Sequence, residues 1–179
     1  MRADAQRNYD LIVRAAAEAI ARDGAYASLE EIARSAGVGS ATLHRHFPSR
    51  WSLLQAVFRT CVRNLAGRAE ELLAEPDALA ALTTWLREVT VYATTTRGLA
   101  VTLLNAPPEE NETCGATLSA AGEKLLRRAV EQESVRADVA MADVLTLANA
   151  ISLAAQPADA TKAERLLTLA LAGIRSHGR

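Results

Sequence analysis

Four side chains that can donate hydrogen bonds to phosphates or to the edges of DNA bases lie within five residues: Thr42, His44, Arg45 and His46. Such donors contact the DNA backbone and read bases in the major groove. The two histidines could also suggest a metal site. However, at i and i+2 on a helix they point about 200° apart and cannot share one ion. The segment therefore favours contact with nucleic acid, and no metal site is expected.

The residues before these donors predict a short helix followed by a turn. Ser28 and Glu31 have the spacing of a capping box, in which each side chain accepts a hydrogen bond from the backbone N–H of the other. Gly37 lies where the chain must leave this helix and reverse, often through a positive φ that glycine adopts without strain. We therefore expect a first helix from about residue 28 to the turn at Gly37.

The donors themselves are predicted to lie on a second, very short helix. Ser40 is expected to cap its start, and Pro48 after Phe47 prevents its continuation. A helix over residues 41–46 has fewer than two turns and is not stable alone, so neighbouring helices must hold it. The pattern is that of a helix-turn-helix placed for the DNA major groove.

The segment IARSAGVGSATLHRHFPSR, residues 32–50, resembles the DNA-binding signature of the TetR family of transcriptional regulators. The resemblance extends from about Ile12 to Leu54, and beyond residue 54 it is architectural only. Two positions depart from the family pattern. The family usually has Tyr where this chain has His44, and commonly Gly where it has Ala41. Either change could alter backbone contacts or sequence preference.

The expected DNA contacts combine the motif with its flanking caps and basic residues. The formal net charge is only −1, so local placement of charge matters more than its total. Arg34 belongs to the same basic cluster, whereas Glu109, Glu110 and Glu112 lie far away in the sequence. The predicted DNA-binding residues are Ser28, Gly39, Ser40, Ala41, Thr42, His44, Arg45, His46 and Arg50.

Composition and periodicity predict an all-α chain of about nine helices. Half of the residues are apolar but only 4% are aromatic, and the Ala- and Leu-rich mixture favours helices over strands. A long fourth helix, from about residue 49 to 74, joins a DNA-binding domain (residues 1–50) to a helical effector-binding and dimerisation domain (residues 51–179). Five further helices are expected: one over about residues 78–95, one between Gly98 and Pro107, one from the end of the following loop to about residue 134, one over about 137–156 and one over about 159–177. Residues 107–115 are expected to form a loop.

The chain has no sequence feature of an exported or membrane protein. Its first ten residues are polar and charged where a signal peptide would be apolar. The richest apolar stretch, residues 139–155, is interrupted by polar residues and is too short for a membrane span. The two cysteines do not imply a disulfide in a reducing compartment. We expect a cytoplasmic protein with no membrane association and no cofactor.

One helical stripe is a candidate wall of a ligand pocket, with plain hydrophobic core as the alternative. Ligand sites combine apolar walls with a few polar groups, which Trp85, Val89 and Tyr92 could supply. Redox sensing by Cys114 is a weaker alternative, because Glu110 and Glu112 would raise the pKa of its thiol. The predicted pocket residues are Trp85, Val89, Tyr92, Thr96, Cys114, Leu118 and Asn149.

The last two predicted helices carry more apolar surface than one chain can bury on one side. The family resemblance implies that two copies pack these helices as a four-helix bundle. The alternative is a helix pair buried within one protomer. The predicted interface residues are Leu145, Ala148, Ile151, Leu166, Leu167, Ala170 and Ile174. A two-fold dimer would present two recognition helices to DNA half-sites about 34 to 36 Å apart, or a multiple of that spacing.

These features predict a one-component transcriptional regulator that binds a palindromic double-stranded operator as a homodimer. The expected regulator is a repressor that a small-molecule effector releases from DNA, with an activator as the alternative because both have the same sequence features. A ligand-independent architectural DNA-binding protein is one alternative. A small helical enzyme is the other, but no nucleophile, base and orienting group occur together, and only His177 lies outside the motif. We therefore expect no enzymatic activity.

Overall fold

A computed structural model of the chain describes residues 2–95, 108–155 and 160–176. Within these ranges it contains eight α-helices and no strand beyond an isolated bridge between Val135 and Arg175. The all-α prediction is confirmed. The helices are α1 (Arg2–Asp23), α2 (Leu29–Ser35), α3 (Ser40–His46), α4 (Arg50–Leu72), α5 (Ala78–Thr95), α6 (Pro108–Glu131), α7 (Met141–Ala154) and α8 (Ala160–Ile174).

Two sequence predictions about the middle of the chain have different outcomes. The predicted loop over residues 107–115 is wrong, because α6 already begins at Pro108. Proline suits the first position of a helix, where its missing N–H would have no intrahelical partner. The predicted helix between Gly98 and Pro107 lies outside the described residues, so the expected total of nine helices is not tested.

The chain forms two compact units, and the division falls inside α4 between Cys61 and Val62. In the first unit, α1, α2, α3 and the start of α4 share one hydrophobic core. Its fully buried side chains include Ile12, Ile32 and Leu43, one from each of the first three helices. Burial on this core supplies the stability that α2 and α3, each seven residues long, lack in isolation.

The core of the second unit is built around the indole of Trp85 on α5. The side chain is fully buried together with Leu86 of the same helix, Leu125 of α6 and Met141 of α7. Its Nε1–H donates to the carbonyl oxygen of Leu65 at 2.9 Å, which satisfies the one polar atom of the ring.

The turn between α4 and α5 is held by Arg128 of α6 and by Gln132, the residue that follows this helix. Arg128 donates to the carbonyl oxygen of Glu75 at 2.8 Å. The Gln132 side chain donates to the carbonyl oxygen of Pro76 and accepts from the N–H of Ala78, both at 3.0 Å. The side chains thereby satisfy backbone groups that the ends of α4 and α5 leave unpaired.

None of the helices in the described ranges combines the length and the apolar character that a membrane span requires.

Candidate nucleic-acid interface

The first helix of the motif, α2, is capped by Ser28. The Ser28 hydroxyl accepts from the N–H of Glu31 at 3.4 Å, which confirms one half of the predicted capping box. The other half is wrong, because the Glu31 carboxylate accepts from the Arg34 guanidinium at 3.3 Å. The charged donor, one turn later on the same helix, attracts the carboxylate more strongly than a backbone N–H does.

The turn after α2 depends on glycine at position 37. Gly37 has a φ of +68°, a conformation that L side chains rarely adopt. Its N–H donates to the carbonyl oxygen of Arg34 at 3.1 Å, and the N–H of Val38 donates to that of Ala33 at 3.0 Å. This pair of hydrogen bonds is a Schellman motif, which ends α2 and directs the chain into α3. The predicted role of Gly37 is confirmed.

The start of α3 differs from the prediction. Gly39 is the N-cap residue and forms no side-chain cap, while Ser40 is the first residue of the helix. The carbonyl oxygen of Gly39 accepts from the N–H groups of Thr42 and Leu43 at 2.9 and 3.1 Å. The predicted capping role of Ser40 is therefore wrong, since its hydroxyl is not in the N-cap position. The Ser40 side chain is exposed instead.

One side of α3 is anchored in the core of the first unit. Leu43 is 1% exposed, and Phe47, which ends the helix, is also buried. The Phe47 ring lies 5.0 Å from the ring of Tyr9 on α1. These two anchors fix the rotation of α3 about its axis, so its opposite side must face solvent.

The solvent-facing side of α3 consists of Ser40, Ala41, His44 and Arg45, at i, i+1, i+4 and i+5. We call these four residues the α3 face. Thr42 lies beside them and is half-buried. The Arg45 guanidinium forms no ion pair within the ranges that the structure describes. A cation left uncompensated on a fixed helix face is suited to an anionic or base-edge partner.

His46 has a different environment from the other predicted contacts. Its ring lies 6.4 Å from that of Tyr9, at an interplanar angle of 68°, and its Nε2 is buried. The imidazole is thus edge-on to α1. Direct contact of His46 with DNA stays a prediction, and its packing gives it a clear part in positioning α3.

Arg50 at the start of α4 is half-buried and joins two parts of the motif. Its Nη1 donates to the carbonyl oxygens of Ala27 at 2.6 Å and Ala25 at 3.2 Å. These carbonyls belong to the turn between α1 and α2, which ends at the Ser28 cap. The remaining guanidinium N–H groups are suited to the DNA contact that the sequence predicts for Arg50.

The same turn carries Tyr26, an aromatic residue that the sequence analysis did not single out. Its side chain is 88% exposed, between two alanines whose carbonyls Arg50 holds. Helical periodicity could not identify it, because the residue lies in a turn. Its only signal was an aromatic side chain beside the predicted motif.

The predicted pocket residues do not share one environment. Trp85, Val89 and Cys114 are buried, and Tyr92 and Leu118 are half-buried. Asn149 is separate from them, because its side chain is exposed on α7. Thr96 lies outside the described residues. The close packing of Trp85 agrees better with the alternative of plain core at that position.

The predicted dimer residues also divide by environment. Ala148, Ile151 and Leu167 are buried within the protomer, whereas Leu145, Leu166, Ala170 and Ile174 are half-buried. The large apolar side chains that are exposed on the described parts of α7 and α8 are different ones: Leu147, Leu153 and Leu169. We call these three residues the exposed leucines.

Within the part of the chain that the structure describes, no three His, Cys, Asp or Glu side chains are grouped as metal ligands.

Family models and solved structures match both units. Residues 12–57 match the model of bacterial regulatory proteins of the tetR family. Residues 77–176 match the model of the C-terminal domain of SbtR-like transcriptional regulators. Among curated proteins, none matches the chain.

Several solved structures are similar over almost the whole chain. The TetR transcriptional regulator SCO0520 from Streptomyces coelicolor is 33% identical, with 95% of this chain and 99% of that chain covered and a TM-score of 0.82. The TetR transcription regulatory protein from Mycobacterium vanbaalenii is 30% identical, with 97% and 98% covered and a TM-score of 0.76. PfmR from Thermus thermophilus, at 24% identity, shares the fold, with 94% and 99% covered and a TM-score of 0.64.

The capped α2, the Schellman turn at Gly37 and the α3 face lie within residues 12–57, which match the tetR-family model, and residues 77–176 match a C-terminal domain of the same family. The chain therefore belongs to the TetR family of transcriptional regulators.

Proposed function

We propose that the protein is a ligand-responsive repressor that binds a palindromic operator as a homodimer and leaves it when a small-molecule effector binds. The main support for DNA binding in this proposal is the α3 face, where His44 and Arg45 are exposed opposite the buried Leu43. A helix anchored on one side can enter the major groove with the other. Because the family consists of DNA-binding regulators, an enzymatic function is excluded.

Contacts with the DNA backbone are assigned to the turn between α1 and α2 and to the residues that hold it. Arg50 and the exposed Tyr26 supply hydrogen-bond donors at this turn, and Ser28 lies at its end. Phosphate contacts of this kind set the register of a protein on DNA, whereas base contacts specify the sequence. We therefore assign sequence reading to the α3 face and positioning to Arg50 and Tyr26.

The exposed leucines support the homodimer. Leu169 is 65% exposed, and Leu147 and Leu153 are exposed on the neighbouring α7. Large apolar side chains that are exposed on two helices in contact with each other are suited to burial against a second copy. The buried Ala148, Ile151 and Leu167 would then support the interface from inside the protomer. The half-buried residues predicted from the sequence, Leu145, Leu166, Ala170 and Ile174, would lie at its edge.

Ligand response requires a coupling between the two units. The continuous helix α4 contains residues of both units, because their division falls between Cys61 and Val62. An effector that binds one conformation of the second unit more tightly would shift the equilibrium between DNA-binding and released states. Such couplings amount to about 1 to 3 kcal/mol. A protein of this family that acts in transcription is expected in the cytoplasm.

The experiment that tests the proposal is selection of binding sites from random double-stranded DNA with the purified full-length protein. A homodimer with two α3 faces predicts a recovered site with inverted half-sites spaced by one helical turn or a multiple of it. Recovery of no enriched sequence, with DNA bound equally well regardless of sequence, would favour the architectural alternative. The selected site then serves to screen small molecules for release of the protein from DNA.

A further inference from the structure

The second unit contains a groove between α5 and α8 that no predicted pocket or interface residue lines. Its volume is about 210 Å³. One wall is formed by Leu79, Thr83 and Arg87 of α5, and the other by Thr168 and Leu171 of α8 with Arg175 just after that helix. The groove is smaller than the sites of about 300 to 1,000 Å³ that hold drug-sized ligands, so its occupant must be small.

Helix geometry places a cation near each end of the groove. Leu79, Thr83 and Arg87 are at i, i+4 and i+8, so they follow one side of α5 over about 12 Å. The Arg87 Nε donates to the carboxylate of Glu164 at 2.6 Å, which compensates the charge at that end. Arg175 lies eleven residues after Glu164, about 16 Å further along α8 and its last turn. Arg87 and Arg175 therefore lie at opposite ends of the groove.

The backbone around Arg175 is fixed by the segment that follows α6. The N–H of Arg136 donates to the carbonyl oxygen of Ile174 at 3.0 Å, and the N–H of Ser176 donates to that of Ser134 at 3.1 Å. Within the described ranges the Arg175 side chain has neither an ion pair nor a hydrogen bond. An exposed guanidinium without a counter-charge thus extends from a fixed backbone at one end of the groove. This arrangement matches a single carboxylate, which arginine can bind through two parallel hydrogen bonds.

The walls between the two arginines are mainly apolar. Leu79 and Leu171 contribute only hydrocarbon surface. The Thr168 hydroxyl already donates to the carbonyl oxygen of Glu164 at 2.8 Å, so that polar group does not require a ligand. We propose that the groove binds a small amphipathic monocarboxylate, with its carboxylate on Arg175 and its apolar part between Leu79 and Leu171.

The groove lies next to Leu169 on α8. Thr168 and Arg175 are seven residues apart and lie on one side, whereas Leu169 lies about 100° around the helix from Thr168. Ala172, which also lines the groove, lies between them, about 60° from Leu169, so the groove borders the side of α8 that carries this leucine. The role of the carboxylate as an effector rests on the proposed function. Its binding in the groove is independent of that function.

Binding is measured by isothermal titration calorimetry of the full-length protein without DNA, with octanoate as the probe and octan-1-ol as its neutral analogue. We expect one octanoate per chain and much weaker binding of octan-1-ol. Arg175→Gln should weaken octanoate binding about tenfold, as loss of a charge-assisted hydrogen bond predicts. Ala172→Phe should abolish binding because Ala172 also lines the groove. Arg165→Gln, which changes an exposed arginine of α8 outside the groove, is the matched control.

Two results would overturn the site: no saturable binding of octanoate to the wild-type protein at millimolar concentration, or equal affinities for wild type, Arg175→Gln and Ala172→Phe. Circular dichroism establishes that each variant is folded. Release from the selected operator is then measured separately. Octanoate that binds in the groove without releasing DNA refutes the effector role alone, whereas a protein that selects no operator refutes the proposed function and leaves the calorimetric result standing.

Discussion

The indole ring of Trp85 occupies the space that a side chain at position 122 would need. A Cβ on Gly122 would lie 2.6 Å from Cη2 and Cζ3 of Trp85, and 2.8 Å from the sulfur of Met141. These distances are far below van der Waals contact, so α5, α6 and α7 approach closely only because residue 122 has no side chain. The close approach also explains why Trp85 is fully buried.

Gly122→Ala is therefore expected to lower stability. Overpacking of a well-packed core costs about 1 to 3 kcal/mol, which outweighs the gain of up to about 1 kcal/mol from replacing a helical glycine. Thermal unfolding followed by circular dichroism measures the change. Gly115→Ala on the same helix is the control, because a Cβ there has no atom within 4 Å. An equal rise in melting temperature for both variants would contradict the close packing.

Arg45→Ala is expected to weaken operator binding without lowering the melting temperature, since the side chain is exposed and unpaired within the described ranges. Loss of a bidentate contact to guanine costs about 1 to 3 kcal/mol and relaxes specificity at one position. Loss of a phosphate contact instead reduces the salt dependence of binding. Fluorescence anisotropy at several salt concentrations distinguishes the two. Arg14→Ala, an exposed arginine of α1, serves as the control, and unchanged affinity with an unchanged salt slope would show that α3 is not the reading helix.

Arg50→Ala is expected to reduce both stability and DNA affinity, because the guanidinium holds the turn before α2. Two carbonyl oxygens lose their donor, at a cost of about 1 to 2 kcal/mol for this half-buried group. Arg50→Lys keeps the positive charge but cannot form both hydrogen bonds in the same geometry. Melting temperature and operator affinity are measured on both variants. If Arg50→Lys has the melting temperature and the operator affinity of the wild-type protein, the positive charge alone accounts for the role of Arg50.

Substitutions of Tyr26 test whether the turn between α1 and α2 contacts DNA. Because the side chain is 88% exposed, Tyr26→Ala should leave the melting temperature nearly unchanged. If the hydroxyl binds a phosphate, Tyr26→Phe should weaken operator binding as much as Tyr26→Ala does, and equally on all sequences. Full affinity of Tyr26→Phe would instead assign the contact to the aromatic ring, and full affinity of both variants would remove Tyr26 from the interface.

The dimer is tested by two substitutions that differ only in burial. Leu169 is 65% exposed, so Leu169→Asp should leave the protomer folded and place unpaired charges in the dimer interface. Leu167 is 4% exposed, and Leu167→Asp should unfold the protomer itself. Light scattering after size-exclusion chromatography gives the mass, and circular dichroism gives the folded fraction. A folded dimer of unchanged stability for Leu169→Asp would move the interface elsewhere.

Most of the turn chemistry of the motif could be predicted from the sequence, because it depends on residues close together in the chain, although the Glu31 half of the capping box and the cap at Ser40 were wrong. The positive φ at Gly37, the end of α3 at Phe47 and the cap at Ser28 all follow from local sterics and nearby hydrogen bonds. The assignment of helices rather than strands also follows from periodicity and composition, and it is confirmed. Among the described residues, the segment after Pro108 departed from it, because a run of polar residues resembles a loop and yet forms the first turns of α6.

The roles of individual side chains depended on residues that are distant in sequence. Arg50 donates to carbonyl oxygens more than twenty residues away, which no local pattern indicates. Leu167 and Leu169 lie about 200° apart around α8, and neighbouring helices cover the first and leave the second exposed. The sequence shows that this helix is apolar over a wide arc, and only the packing of the other helices decides which part of that arc they bury. For the same reason the groove at Arg175 appears only when α5 and α8 are placed side by side.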